Sequence, residues 1–187
     1  MAAFTLNDAF MKAISDELPL FQILTLRGVL TVVLIAVMMF IRGATDFGIP
    51  SKDRGKVMLR VVAETASAYF FLTALFNMPL ANVSAILQSL PLTVTLAAAF
   101  FFGEPVGWRR MSAILVGLAG VLLIIRPGTE GFTVYSLYAL IAVGFVTLRD
   151  LVTRRFSPET PSMAVSFYSA LGVTLFFAAG SPAQGWA

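Results

Sequence analysis

Apolar residues run through this chain in blocks, with short polar punctuation between them. The first complete block, Leu20 to Ile41, carries a single charge, Arg27. The polar stretch RGATDFGIPSKDRGK, Arg42 to Lys56, follows it and reads as an aqueous loop. Val57 to Phe76 is the next block, with Arg60 and Glu64 in its first half and Tyr69, Phe70 and Phe71 further along. Leu80 to Phe102 and Trp108 to Ile125 are separated only by the turn Gly103 to Gly107. Gly131 to Val152 and Met163 to Gly180 complete the series, with the loop Thr153 to Pro161 between them. A helix needs about 20 apolar residues to cross a bilayer and tolerates roughly 17. Each block therefore predicts a transmembrane helix, and residues 80–125 a membrane hairpin.

The opening MAAFTLNDAFMKAIS is too short for a span and is interrupted by Asn7, Asp8 and Lys12. It lacks the basic and apolar regions of a signal peptide. It predicts a helix whose start is missing or irregular, ended by Asp16-Glu17-Leu18-Pro19. The expected fold is all-α, a polytopic transmembrane bundle of about seven helices.

Composition sharpens this picture. The hydrophobic fraction is 58% before any of the 14 glycines is counted, and charged residues are 12%. A soluble domain has about 45–50% apolar residues with glycine included, and about twice this share of charge. There is no Cys and no His. That removes thiol nucleophiles, disulfides, most zinc chemistry and every serine–histidine device. The net charge of +3 could suggest nucleic acid, but the cations sit in short loops, so no nucleic-acid partner is expected. No GxxxxGK[ST] motif is present, and no nucleotide, metal or other cofactor is expected.

The placement of Lys and Arg orients the bundle. One set of loops carries Arg42, Lys52, Arg54 and Lys56, then Arg109 and Arg110, then Arg154 and Arg155. The alternate set carries only Arg126. The rule that basic loops stay inside makes loops 42–56, 103–110 and 153–161 cytoplasmic and turns the DELP, NMP and RPGTEG segments outward.

Charged groups at membrane depth point to function because they are costly there. Asp8 and Lys12 share a helix face and either neutralise each other or, with Asn7, line a solute path. Arg27 either snorkels outward or pairs with a buried carboxylate such as Asp8. Glu64 is one turn from Arg60 and is either its ion-pair partner or a proton or cation site. Arg149 and Asp150 read as headgroup anchors. Ser84, Gln88, Pro91 and Thr95 fall on one helical face, and Pro91 frees a carbonyl that needs another partner. Ala113, Gly117 and Gly120 form a packing seam. The substrate-path candidates are thus Asn7, Asp8, Lys12, Arg27, Glu64, Tyr69, Ser84, Gln88 and Pro91.

The hairpin LANVSAILQSLPLTVTLAAAFFFGEPVGWRRMSAILVGLAGVLLIIRPG resembles the drug/metabolite transporter superfamily, specifically its EamA-type members. The Gly103-Glu104 turn, the basic residues after it, the small-residue-rich helix and Arg126-Pro127-Gly128 carry the resemblance, together with Arg27-Gly28 and Lys12. It implies about ten helices in two inverted five-helix repeats with the substrate path between them. Residues 1–128 would be the first repeat, with a truncated first helix, and 129–187 the sixth and seventh helices of a partial second.

The function so implied is an inner-membrane secondary permease or exporter in a bacterial-type plasma membrane. It would move a small metabolite or drug-like solute by alternating access, with or without proton or solute counter-transport. Two other classes stay open. One is a non-transporting subunit or truncated gene product. The other is a carboxylate-dependent membrane enzyme, disfavoured because the loop acids Asp46, Asp53, Glu104, Glu130 and Glu159 are scattered singly.

Overall fold

A computed structural model of the chain describes residues 20–43, 46–125 and 133–181. Every regular element in them is a helix: α1 (Leu20–Ile41), α2 (Ser51–Asn77), α3 (Leu80–Leu87), α4 (Leu90–Phe102), α5 (Trp108–Ile125), α6 (Val134–Thr153) and α7 (Ser162–Gly180). Five stretches are long and apolar enough to cross a membrane: Phe21–Ile41, Ser51–Asn77, Leu80–Phe102, Val134–Thr153 and Ser162–Gly180. The protein is an all-α, multi-pass membrane protein. Its outward faces agree: Leu30 is 61% exposed, Val116 72% and Phe100 83%, an arrangement that water would penalise and lipid tails do not.

α1 and α5 match their apolar blocks end to end. α2 does not. It begins at Ser51, inside the segment expected to be loop. The Pro50 carbonyl accepts the Asp53 N–H at 2.9 Å, and Asp53 places a negative charge in the first turn, where the helix dipole favours it. Polarity ends a span; it does not end a helix.

The expected single helix Leu80–Phe102 is broken at Gln88 and Ser89, not at Pro91. Pro91 lies in the first turn of α4, where a missing N–H is tolerated. The Leu87 carbonyl one turn back therefore gets no partner from it. Ser89 tightens the joint, its N–H and its Oγ both donating to the Ile86 carbonyl at 3.0 and 2.6 Å. Gly103 ends α4 with φ 64°, the left-handed conformation that glycine adopts without a Cβ penalty. This explains the glycine of the Gly-Glu turn.

The described chain packs as two compact units. Among the described residues the first unit is contiguous and spans 66–151. In it α5 lies against α3 and α4, and a Cβ on Gly117 would stand 2.4 Å from Leu92 Cδ1. Val83, Ile86, Ala98, Ile114 and Ala142 are buried there. The discontinuous unit joins 20–65 to 152–181. Its core is the α1–α7 contact, where Phe21 and Phe177 meet edge to face at 5.2 Å. A Cβ on Gly28 would come within 2.4 Å of Thr174 Oγ1. Helices this close require small residues at the crossing.

Candidate functional site

In the discontinuous unit the polar chemistry gathers where α2 begins. Asp53 is fully buried. Its carboxylate accepts from Lys56 Nζ at 2.6 Å, Ser157 Oγ at 2.5 Å, Thr160 Oγ1 at 2.6 Å and the Ser157 N–H at 3.1 Å. Lys56 also donates to the Arg155 carbonyl at 2.7 Å, and Lys52 pairs with Glu159 at 2.8 Å. The residues before Val57 and the loop 153–161 are thus stapled together. Asp53 and Glu159, scattered in sequence, belong to one charge cluster. Each is paired with a lysine, and among the described residues no group of acids is arranged to hold a metal.

One turn deeper, Arg60 donates through Nε to Ser169 Oγ at 3.3 Å and through Nη1 to Thr153 Oγ1. Its partners therefore include two hydroxyls on other segments, beyond the one-turn pairing with Glu64 that spacing suggests. Glu64 is half-buried on α2, and Arg27 is exposed on α1. Gln22, which the sequence did not single out, is 7% exposed on α1, and its Oε1 has no hydrogen-bond partner among the described residues. A lone glutamine in the first turn of an apolar span was the only available signal.

In the contiguous unit, aromatic rings join α2 to α6. Phe70 stacks on Phe145 at 5.9 Å and meets Tyr138 edge-on at 5.3 Å and Tyr69 at 5.5 Å. Tyr135 extends the cluster to Tyr138 at 6.1 Å. Beside it, Thr93 on α4 shares a 3.1 Å hydrogen bond with the buried Thr147 on α6. α4 thus meets α6 through Thr93. Gln88 and Pro91 are exposed, and Ser84 and Thr95 half-buried. Thr95 accepts from Arg110 Nη2 at 3.5 Å and donates to the Pro91 carbonyl at 2.7 Å. The Gln88 carboxamide has no hydrogen bond among the described residues, though it stands at the break inside the apolar stretch Leu80–Phe102.

Of the sequence candidates, Arg27 and Glu64 fall in the discontinuous unit; Tyr69, Ser84, Gln88 and Pro91 fall in the contiguous one. Asn7, Asp8 and Lys12 lie outside the described residues. Arg149 and Asp150 pair with each other, Nε to Oδ1 at 2.9 Å.

Residues 1–126 match the model of the EamA-like transporter family. Among curated proteins the chain is similar to the S-adenosylmethionine uptake transporter of Rickettsia bellii, with 28% identity over 58% of this chain and 37% of that protein. It is 26% identical to the pseudopaline exporter CntI of Pseudomonas aeruginosa over 94% of this chain and 62% of that protein. The riboflavin transporter of Brucella anthropi is 30% identical over 58% of this chain and 39% of its own length. The chain thus spans less than two thirds of the length of these relatives. No solved structure matches it.

Proposed function

The chain belongs to the EamA-like transporter family, and on that premise we propose that it serves a secondary permease for a small metabolite. Residues 1–128 form the first five-helix repeat and residues 129–187 the start of an inverted second, with the solute crossing between repeats. The family and the relatives are named for transport, not for enzymatic conversion. The observation that carries the reading is Gln88. A carboxamide with no partner among the described residues, inside the apolar stretch Leu80–Phe102, is costly against lipid, and it is at home beside a polar path or an incoming solute. The helix break next to it and the Leu87 carbonyl freed by Pro91 support the same placement.

On this reading Ser84, Gln88, Pro91 and Tyr69 line the path. Arg27 and Glu64 contribute charge, and Asn7, Asp8 and Lys12 extend the lining. Glu64 is the group for proton coupling, if transport is coupled. The membrane is the bacterial inner membrane, with the basic loops 42–56, 103–110 and 153–161 in the cytoplasm. The Lys52–Glu159 pair supports this by holding two of the three loops at one end of the discontinuous unit. The cargo is sought among metabolites like those of the relatives, S-adenosylmethionine, pseudopaline and riboflavin.

The test is flux into proteoliposomes carrying the chain, with labelled S-adenosylmethionine and fluorescent riboflavin as first substrates. Gln88→Leu is expected to abolish flux while insertion stays normal. Wild-type flux in both Gln88→Leu and Glu64→Gln would remove these residues from the mechanism.

A further inference from the structure

The first turns of α2 carry three cations, Lys52, Arg54 and Lys56. Two are matched by acids: Lys52 by Glu159 at 2.8 Å and Lys56 by Asp53 at 2.6 Å. Arg54 has no carboxylate partner among the described residues. Its Nε donates to the Ile49 carbonyl at 3.3 Å, which anchors the guanidinium of an exposed side chain.

Arg54 borders a cavity of about 570 Å³ between α2 and α7. This lies within the roughly 300–1,000 Å³ typical of ligand-holding clefts. The walls are apolar, formed by Val57, Met58 and Val61 from α2 and Leu171 and Leu175 from α7, with Phe47 at the rim. The rim is held in place. Tyr168 Oη donates to the Phe47 carbonyl at 3.2 Å, and the Phe47 ring meets Phe167 edge-on at 5.4 Å. From Arg54 to Val61 the groove descends about 10 Å, at about 1.5 Å per residue.

We propose that this groove binds one anionic phospholipid, with its phosphate forked by the Arg54 Nη groups and an acyl chain lying along Val57, Val61 and Leu175. Three observations select this occupant. The polar end holds a cation with no acid partner among the described residues, and a guanidinium fork fits a phosphate. Further along, the side chains of Val57, Met58, Val61, Leu171 and Leu175 offer only hydrocarbon. The cation belongs to a basic loop end, where a juxtamembrane arginine meets anionic headgroups. A free inorganic anion would satisfy Arg54 and leave the apolar wall unused. A transported polar solute would find no second polar group deeper in the groove.

The experiment offers the purified full chain an equimolar mixture of phosphatidylglycerol and phosphatidylcholine with matched chains and counts retained lipid by native mass spectrometry. Phosphatidylglycerol is expected to be retained over phosphatidylcholine by about fivefold, the effect of one basic residue at an anionic surface. Arg54→Gln brings the ratio to near one, while Arg42→Gln, at another exposed cation, leaves it unchanged. Met58→Trp at its exposed position fills the groove and lowers retention of both lipids. Circular dichroism melting confirms that each variant is folded, and Arg54→Lys, which keeps the charge, retains a preference if Arg54→Gln does not fold. Equal retention by the wild-type chain overturns the proposal, as does a preference that survives Arg54→Gln. Displacement of the lipid by millimolar inorganic phosphate, with no effect of Met58→Trp, assigns the site to a free anion. A photo-crosslinker at Met58 that captures a second copy or another segment of this chain assigns the groove to protein.

Discussion

Replacing Asp53 tests whether the staple between α2 and the 153–161 loop holds the discontinuous unit together. Four donors converge on this carboxylate, and the side chain is fully buried. Hydrogen bonds to a charged group contribute about 1.5–3 kcal/mol each, but not additively. The Lys56 share is reduced by solvent, since that side chain is 39% exposed. Removing one member of a buried charged cluster costs about 3–5 kcal/mol. That range is expected for Asp53→Ala. Asp53→Asn keeps the shape but turns an NH₂ towards donors, and should cost about 2–4 kcal/mol by the same desolvation logic. For a chain of this size each kcal/mol lowers the melting temperature by about 2–4 °C, so Asp53→Asn is expected to melt about 4–16 °C lower. A local readout accompanies the global one. Arg154 and Arg155 are exposed trypsin sites within the stapled loop, and their cleavage should accelerate in both variants. Lys52→Ala, which breaks a pair between side chains 55% and 70% exposed, serves as control and should cost under about 1 kcal/mol. An Asp53→Asn protein that melts within about 1 °C of wild type and resists trypsin equally would refute the staple.

Four further outcomes follow. Because the chain has no native cysteine, Lys52→Cys with Glu159→Cys gives a unique thiol pair, expected to cross-link with a short bismaleimide; absence of cross-linking in the folded protein counts against the loop contact. Gly28→Ala should destabilise by about 1–3 kcal/mol through overpacking against Thr174, and Thr174→Ala in the same chain should recover part of the loss, read by thermal melting. Thr93→Val and Thr147→Val should show a coupling of about 0.6 kcal/mol in a double-mutant cycle, typical of hydroxyl pairs between membrane helices; additive effects would show that the pair does not form. Glu64→Gln should flatten any dependence of solute flux on the pH gradient while leaving insertion intact, and a pH response equal to wild type removes Glu64 from coupling.

Helix positions were largely legible because lipid imposes one rule on long apolar runs. α1 and α5 could be read to the residue. What failed was local. The start of α2 was hidden because Lys52, Asp53 and Arg54 look like loop, whereas Pro50 and Asp53 in fact open a helix. The break at Gln88–Ser89 was misplaced towards Pro91 because a proline acts on the carbonyl a turn before it, while its own position is a helix start. The Asp53 cluster was beyond sequence reasoning: its hydroxyl donors are about a hundred residues away, and nothing in SKDRGK names Ser157 or Thr160. The polar face of 84–95 was legible as a face, but the contact with α6 is made by Thr93, which lies off it. Arg60 shows the same limit, since spacing offers Glu64 and only the fold supplies Ser169 and Thr153.

The discontinuous unit also bears on how the chain is made. Asp53 finds Ser157 across a separation of 104 residues, and α1 packs on α7, made late, instead of on its neighbour in sequence. At about 5–20 residues per second of synthesis, about 5–20 s pass between the emergence of the carboxylate and that of its hydroxyl partners. During that interval the start of α2 must stay hydrated, with Asp53 still facing water. A ribosome stalled before Ser157 would leave α1 and α2 inserted, unclasped and open to quality-control proteases.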